Sequence, residues 1–222
     1  MTSERFHVEL LSIFPDFFTS PLQTGIIGKA LERELASVDP KLVIVDATSA
    51  DAWADVDRSS LPSLVSVVDA DPRSAAQSGH VAFEQLTAAE PAPRVDVAPD
   101  ALAVLVFTSG TAGSPRAAML THGNLFASME AGQSSGDPIV ADDLIYGVLP
   151  LFHIYTLQIN MLLAMRFGAE IVLHPRFELE AVIKDLGSKK PTMFPGVPTM
   201  FQALLDHPDL KKTDLSSLKV CI

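Results

Sequence analysis

From Phe107 to Arg116 the chain reads Phe-Thr-Ser-Gly-Thr-Ala-Gly-Ser-Pro-Arg, directly after the apolar run Ala101 to Val106. That is the composition of a loop that wraps a polyanion. Glycines let backbone N–H groups approach closely, hydroxyls donate further hydrogen bonds, and a guanidinium neutralises charge. It is not a Walker loop, because no Gly-x-x-x-x-Gly-Lys-Ser/Thr is present. Ala117 to Leu125 resumes a short apolar strand and then offers Thr121 as a helix N-cap. A second residue with chemistry is His153, within Leu149-Pro-Leu-Phe-His-Ile-Tyr-Thr-Leu157. On an apolar stretch a histidine is more often a satisfied core residue than a functional one. Asp46, Asp51, Asp55 and Asp57 read as a solvated acidic face and not as a metal site, since their neighbours supply no His or Cys.

The elements that must hold these residues alternate along the chain. Short runs rich in Val, Ile and Leu at Leu42 to Val45, Leu64 to Val68, Leu102 to Phe107, Ile145 to Leu149 and Ile171 to Leu173 look like strands buried on both faces. Helical candidates follow at Asn124 to Ala131, Tyr155 to Arg166, Glu178 to Leu186 and Pro198 to Leu205. Such alternation predicts an α/β fold with a largely parallel sheet and flanking helices. Ala88 to Pro99 is a Pro/Ala connector expected on the surface.

Composition narrows the class. The 222 residues suffice for one large domain or two small ones, and a hydrophobic content of 48% predicts a substantial core. The single cysteine, Cys221, excludes a disulfide framework and fits a reducing, cytoplasmic compartment. A net charge of −11 argues against a nucleic-acid partner. Leu144 to Met165 is apolar, but Pro150, His153, Gln158 and Asn160 interrupt it, so a buried strand–loop–helix is expected and not a membrane span.

The whole of Phe107 to Leu125 resembles the signature phosphate loop of the AMP-forming adenylating enzymes, the acyl-CoA synthetases among them, which reads approximately Tyr-Thr-Ser-Gly-Thr-Thr-Gly-x-Pro-Lys-Gly followed by Leu-Thr-His-x-Asn. Here Ala112, Arg116 and Ala117 stand where the family has Thr, Lys and Gly. Arg for Lys keeps the charge and changes its donor geometry. Leu149 to Leu157 resembles the family's Pro-x-x-His motif beside the acyl pocket, and Phe194 to Leu205 its strand-to-helix segment near that pocket. The resemblance runs from about residue 41 to 222, as an incomplete part of the large N-terminal domain of such an enzyme. It implies two-step carboxylate activation with ATP, Mg2+ and coenzyme A. Thr108, Ser109, Gly110, Thr111 and Gly113 would cradle phosphates, Arg116 would offset leaving-group charge, and His153 would flank the acyl group. Met161, Met165, Phe152 and Phe167 are candidates for an acyl tunnel. The small-molecule partner implied is a fatty or other carboxylate. No metal site is expected in the chain itself, and no catalytic set complete within it. The family's adenine-binding, ribose-binding and C-terminal elements do not appear, so the resemblance covers a part that is incomplete as it stands.

Residues 6 to 35 carry a different resemblance. Phe6 to Glu32, with Phe14-Pro15 as a break and Gly28-Lys-Ala30 in a helix from Gln23 to Ala36, is similar to the amino terminus of bacterial tRNA (guanine-N1) methyltransferases. This divides the chain into 1–38, of separate origin, and 39–222, a partial adenylate-forming domain. Two alternatives to the ligase arise: a methyltransferase fragment, and a non-catalytic nucleotide-binding module.

Overall fold

Helix α1 (Thr24–Val38) opens the described chain and turns through Asp39, at φ +46°, into strand β1 (Leu42–Val45). The computed structural model describes residues 24–47, 49–91, 93–108, 116–134 and 136–222, with side chains from Leu31 on and not those of Thr108 and Arg116. The chain divides into two units, with the boundary between Leu120 and Thr121.

In the first unit α2 (Ala50–Ala54), β2 (Ser66–Asp69), α3 (Pro72–Ser78), β3 (Val81–Ala82) and α4 (Phe83–Thr87) follow β1. The strands form a parallel sheet in the order β1-β2-β3, with Leu42 opposite Ser66 and Val45 opposite Asp69. Helix α3 starts where its sequence says it should. Asp71 accepts from the Arg73 N–H at 2.9 Å, and Pro72 fills the first turn, where no N–H partner is needed. Leu31 and Leu35, four residues apart on one face of α1, pack on Val43, Val45, Trp53, Val56, Leu61 and Val67. This core therefore joins residues on both sides of position 38. Two further strands, β4 (Leu102–Thr108) and β5 (Arg116–Thr121), pair with each other as a two-stranded sheet.

The second unit begins with α5 (His122–Ser134) and β6 (Leu144–Gly147). A continuous helix follows, made of α6 (Ile154–Thr156), a π-helical stretch at Leu157–Leu163, and α7 (Ala164–Phe167). Gly168 ends it at φ +78°, a conformation glycine takes without a Cβ penalty. Then come β7 (Glu170–Leu173), α8 (Leu179–Lys189), β8 (Met193–Phe194), α9 (Pro198–Asp206) and β9 (Val220–Cys221). The sheet is parallel throughout in the order β7-β6-β8-β9.

Central strand β6 feeds a core on each face. Tyr146 and Val148 join Val182, Ile183, Leu186, Phe194 and Leu204 on one side. Ile145 joins Met129, Ile139, Leu163, Ala164 and Met193 on the other. Burial on both faces thus holds for β6 and corrects the expectation for three other strands. Only alternate residues of β1 are buried, Val43 and Val45, and neither β4 from Leu102 to Phe107 nor β7 has a buried residue. Those strands lie at the ends of their sheets, where fewer elements cover them. The predicted surface connector is exposed at every described residue from Ala88 to Asp100. Among the described residues no helix is long and apolar enough to cross a membrane.

Candidate functional site

The polyanion-loop motif falls between two paired strands. β4 ends at Thr108 and β5 starts at Arg116, so the intervening segment joins neighbouring strands. Ser109, Gly110, Thr111 and Gly113 lie outside the described residues, as do the side chains of Thr108 and Arg116. The entry into α5, next along the chain, shows its bonds. Thr121 Oγ1 accepts from the Asn124 N–H at 3.1 Å, while Asn124 Oδ1 accepts from the Thr121 N–H at 3.0 Å. This reciprocal pair is a capping box with Asn in the third position, and it fixes the start of α5. The Thr-His-x-Asn part of the motif therefore has a local mechanical reason, and Thr121 caps the helix as its type and place predict.

His153 serves as the N-cap of α6. Its Nδ1 accepts from the Tyr155 N–H at 3.3 Å, so Nδ1 is unprotonated in this arrangement and Nε2 carries the ring hydrogen. The residue is exposed. One nitrogen is thus used by the helix start and the other carries the ring hydrogen. His153 belongs to the second unit, and the strands that flank the loop to the first. The four apolar residues read as tunnel candidates do not share one environment. Met165 is 71% exposed and Phe152 42% exposed, while Phe167 packs beside Leu163 and Ala164 and lies under the Arg166 guanidinium at 5.5 Å.

Two polar clusters in the second unit have no counterpart in the local sequence pattern. Asp185 Oδ2 receives the Tyr146 hydroxyl at 2.9 Å, His174 Nε2 at 2.8 Å and the Lys189 ammonium at 3.0 Å. An ionised carboxylate only accepts, so His174 Nε2 must carry a hydrogen, and the Tyr146 oxygen 2.9 Å away is then a second acceptor for it. Burial opposes charge on Asp185, but Lys189, Tyr146 and His174 more than offset it and hold its carboxyl below the usual range. Burial, with the same contact, pushes the Tyr146 phenol far above its ordinary value. Asp143, just before β6, is held low by Lys219 at 2.7 Å and the Val140 N–H at 2.9 Å, again against the effect of burial. These partners lie up to 76 residues apart in sequence, so no local pattern could have found them.

The π-helical stretch is the other surprise. It carries Gln158 and Asn160, buried in a helix that local pattern reads as an ordinary α-helix. Gln158 donates to the Leu125 carbonyl at 3.3 Å. Neither amide atom of Asn160 has a partner among the described residues. Inserted π turns recur at functional places in helices, and the polar interruptions in an apolar run were the available signal. Among the described residues no group of three or more His, Cys, Asp or Glu is arranged to hold a metal ion.

A family model described as AMP-binding enzyme matches residues 16–222. The chain is 33% identical over 227 residues to a 4-coumarate–CoA ligase of Humulus lupulus, covering 95% of this chain and 41% of that protein. It is 39% identical over 131 residues to a long-chain-fatty-acid–CoA ligase of Bacillus subtilis, covering 59% of this chain and 23% of the relative. This chain thus spans well under half of either relative's length. Among solved structures, an anthranilate CoA ligase in complex with anthranoyl-AMP aligns with a TM-score of 0.75 at 22% identity, over 87% of this chain and 37% of that one. The N-terminal domain of a Mycobacterium tuberculosis protein, FACL13, aligns at 0.76 with 20% identity, over 87% and 47%. Those two likenesses speak for the fold. The match from residue 16 overlaps residues 6–35, and the tRNA (guanine-N1) methyltransferase resemblance is not borne out. Leu31 and Leu35 pack in one core with β1.

Proposed function

This chain belongs to the AMP-binding enzyme family, and from that premise we propose that it serves the reaction of an acyl-CoA ligase. A carboxylate oxygen attacks the α-phosphorus of ATP, pyrophosphate leaves, and the thiol of coenzyme A then displaces AMP to give a thioester. In this reading the substrate is a small-molecule carboxylate, fatty or aryl. Thr108, Ser109, Gly110, Thr111 and Gly113 cradle the β- and γ-phosphates, and Arg116 offsets the charge that builds on pyrophosphate. Such chemistry rests mainly on positioning and charge stabilisation. His153 meets the acyl side with Nε2–H as donor, since Nδ1 is taken by the helix cap.

Mg2+ enters this scheme as a companion of the ATP phosphates. Bound there, it would supply charge neutralisation. The reading favours a cytoplasmic setting and no nucleic-acid partner, on the single cysteine and the charge of −11.

The observation that supports the reading most is the order of parts: two paired strands bracketing a Gly/hydroxyl/Arg segment, then a reciprocally capped helix. Calorimetric titration with ATP and with pyrophosphate tests it. Arg116→Ala should weaken binding by on the order of 1.5–3 kcal/mol, the range for a charge-assisted hydrogen bond. His153→Ala should leave phosphate binding nearly unchanged, since it sits on the acyl side. Equal losses in the two variants, or none in Arg116→Ala, would refute the assignment.

A further inference from the structure

Trp53 is the chain's single tryptophan, and it is 3% exposed in the core of the first unit. Its indole Nε1 is sealed from solvent and has no hydrogen-bond partner among the described residues. The Arg58 guanidinium, over the ring at 5.2 Å, does not satisfy it, because it has no acceptor to offer. Buried donors in native proteins are nearly always matched, by protein or by ordered water.

The same indole borders a small cavity of about 20 Å³ between α1 and β1, with Leu31, Leu35, Val43, Val45 and Ser49 around it. Size decides what such a space can hold. A water needs roughly 10–15 Å³ on this measure, while organic ligands occupy hundreds. Polarity decides whether water would stay. A space lined only by Leu and Val remains dry, but this one has an N–H donor and a hydroxyl on its wall. Ser49 Oγ accepts from the Asp46 N–H at 2.9 Å and donates to Asp46 Oδ1 at 2.8 Å, which leaves one of its two lone pairs.

We propose that this cavity is a binding site for one ordered water, which accepts from Trp53 Nε1–H and donates to Ser49 Oγ. The water joins the indole of α2 to the residue that begins that helix, beneath the leucines that α1 lays on the sheet. It is a polar point inside a core that is otherwise apolar. The site is independent of the ligase reading and of the phosphate loop.

With one tryptophan, the nitrogen-labelled full chain gives one indole N–H resonance. Water-selective NOE and ROE spectra should show a cross-peak from that proton to water, opposite in sign between the two experiments, as a long-held water gives. In Ser49→Ala the indole resonance should remain and the cross-peak should fall at least severalfold. A folded wild-type chain without the dipolar cross-peak overturns the proposal, whatever the variant does. A cross-peak of unchanged intensity in Ser49→Ala overturns it too, because the water would then not depend on the serine.

Discussion

The two units bury their sheets by different means. The first lays α1 on its sheet through one apolar core, and Leu35 and Val68 are fully buried in that unit. Its buried carboxylate, Asp69, is satisfied locally by the Asp71 N–H at 2.9 Å and the Ser74 hydroxyl at 2.6 Å. The second unit covers β6 on both faces and carries charged and amide groups inside, tied across elements far apart in sequence. Local satisfaction tolerates small shifts of the sheet. Long-range polar ties do not, because each bond fixes the spacing between a strand and a helix. The second unit therefore holds the strand ends that lead to His153 by specific hydrogen bonds, and the first unit, which has a tie of this kind from Ser63 to Asp39, depends mainly on apolar volume.

That contrast can be broken most forcefully in the apolar core. Leu35→Ala should destabilise the first unit by about 2–5 kcal/mol, the range for a fully buried leucine. Denaturant unfolding followed by Trp53 emission reads it directly, since both residues share one core. A loss below about 1 kcal/mol would mean the core collapses around the gap, and the contrast fails.

For the polar ties the expected effect is smaller. Asp185→Ala strands Tyr146, His174 and Lys189, and should cost roughly 1–3 kcal/mol. Tyr146→Phe removes one donor and should cost about 0.5–1.5 kcal/mol. Calorimetric unfolding of both variants checks the order; Asp185→Ala behaving like a surface substitution would sink the network's role.

Gly147, at the end of β6, separates packing from polarity. A Cβ there would meet Leu173 Cδ2 at 2.9 Å, Asn160 Nδ2 at 3.1 Å and the Val172 carbonyl oxygen at 3.2 Å. Two of those are side chains and one is backbone, so Gly147→Ala should destabilise by about 1–2 kcal/mol as an overpacked site. Thermal unfolding at neutral pH measures it, and a neutral result would show that the strand end yields.

Acid should give the mildest effect and the clearest sign. Asp143 and Asp185 titrate below the ordinary value of 3.8 in the fold, so their contribution is present above that pH and is lost as pH falls through the lowered native values. Glu34 in the first unit runs the other way. Burial raises its carboxyl above 4.5, so its protonated form favours folding at lower pH and that contribution fades as pH rises through the raised native value. Asp185→Asn should therefore flatten the loss of stability below about pH 4, while Glu34→Gln should raise stability more at about pH 7 than at about pH 4. Unfolding midpoints across that range test both, and the same slope in each variant would remove the distinction between the units.

Most of the architecture could be read from local pattern, because strand runs and caps are local physics. β1 occupies the predicted residues, the helices at α5, α8 and α9 lie within a few residues of expectation, and Thr121 caps α5 through a bond three residues long. The order of motifs, from the Gly/hydroxyl segment to His153 to the strand–helix step at Phe194, was likewise set by sequence alone. Tertiary structure decided the rest. It turned part of a periodic helix into a π stretch with Asn160 enclosed, left β1 and β7 half covered, and gathered Tyr146, His174 and Asp185 on one oxygen. It also gave Trp53 a buried N–H beside a small cavity. The reason is range. Propensity and capping act over about four residues along the chain, whereas burial and polar pairing depend on which residues the fold brings together in space.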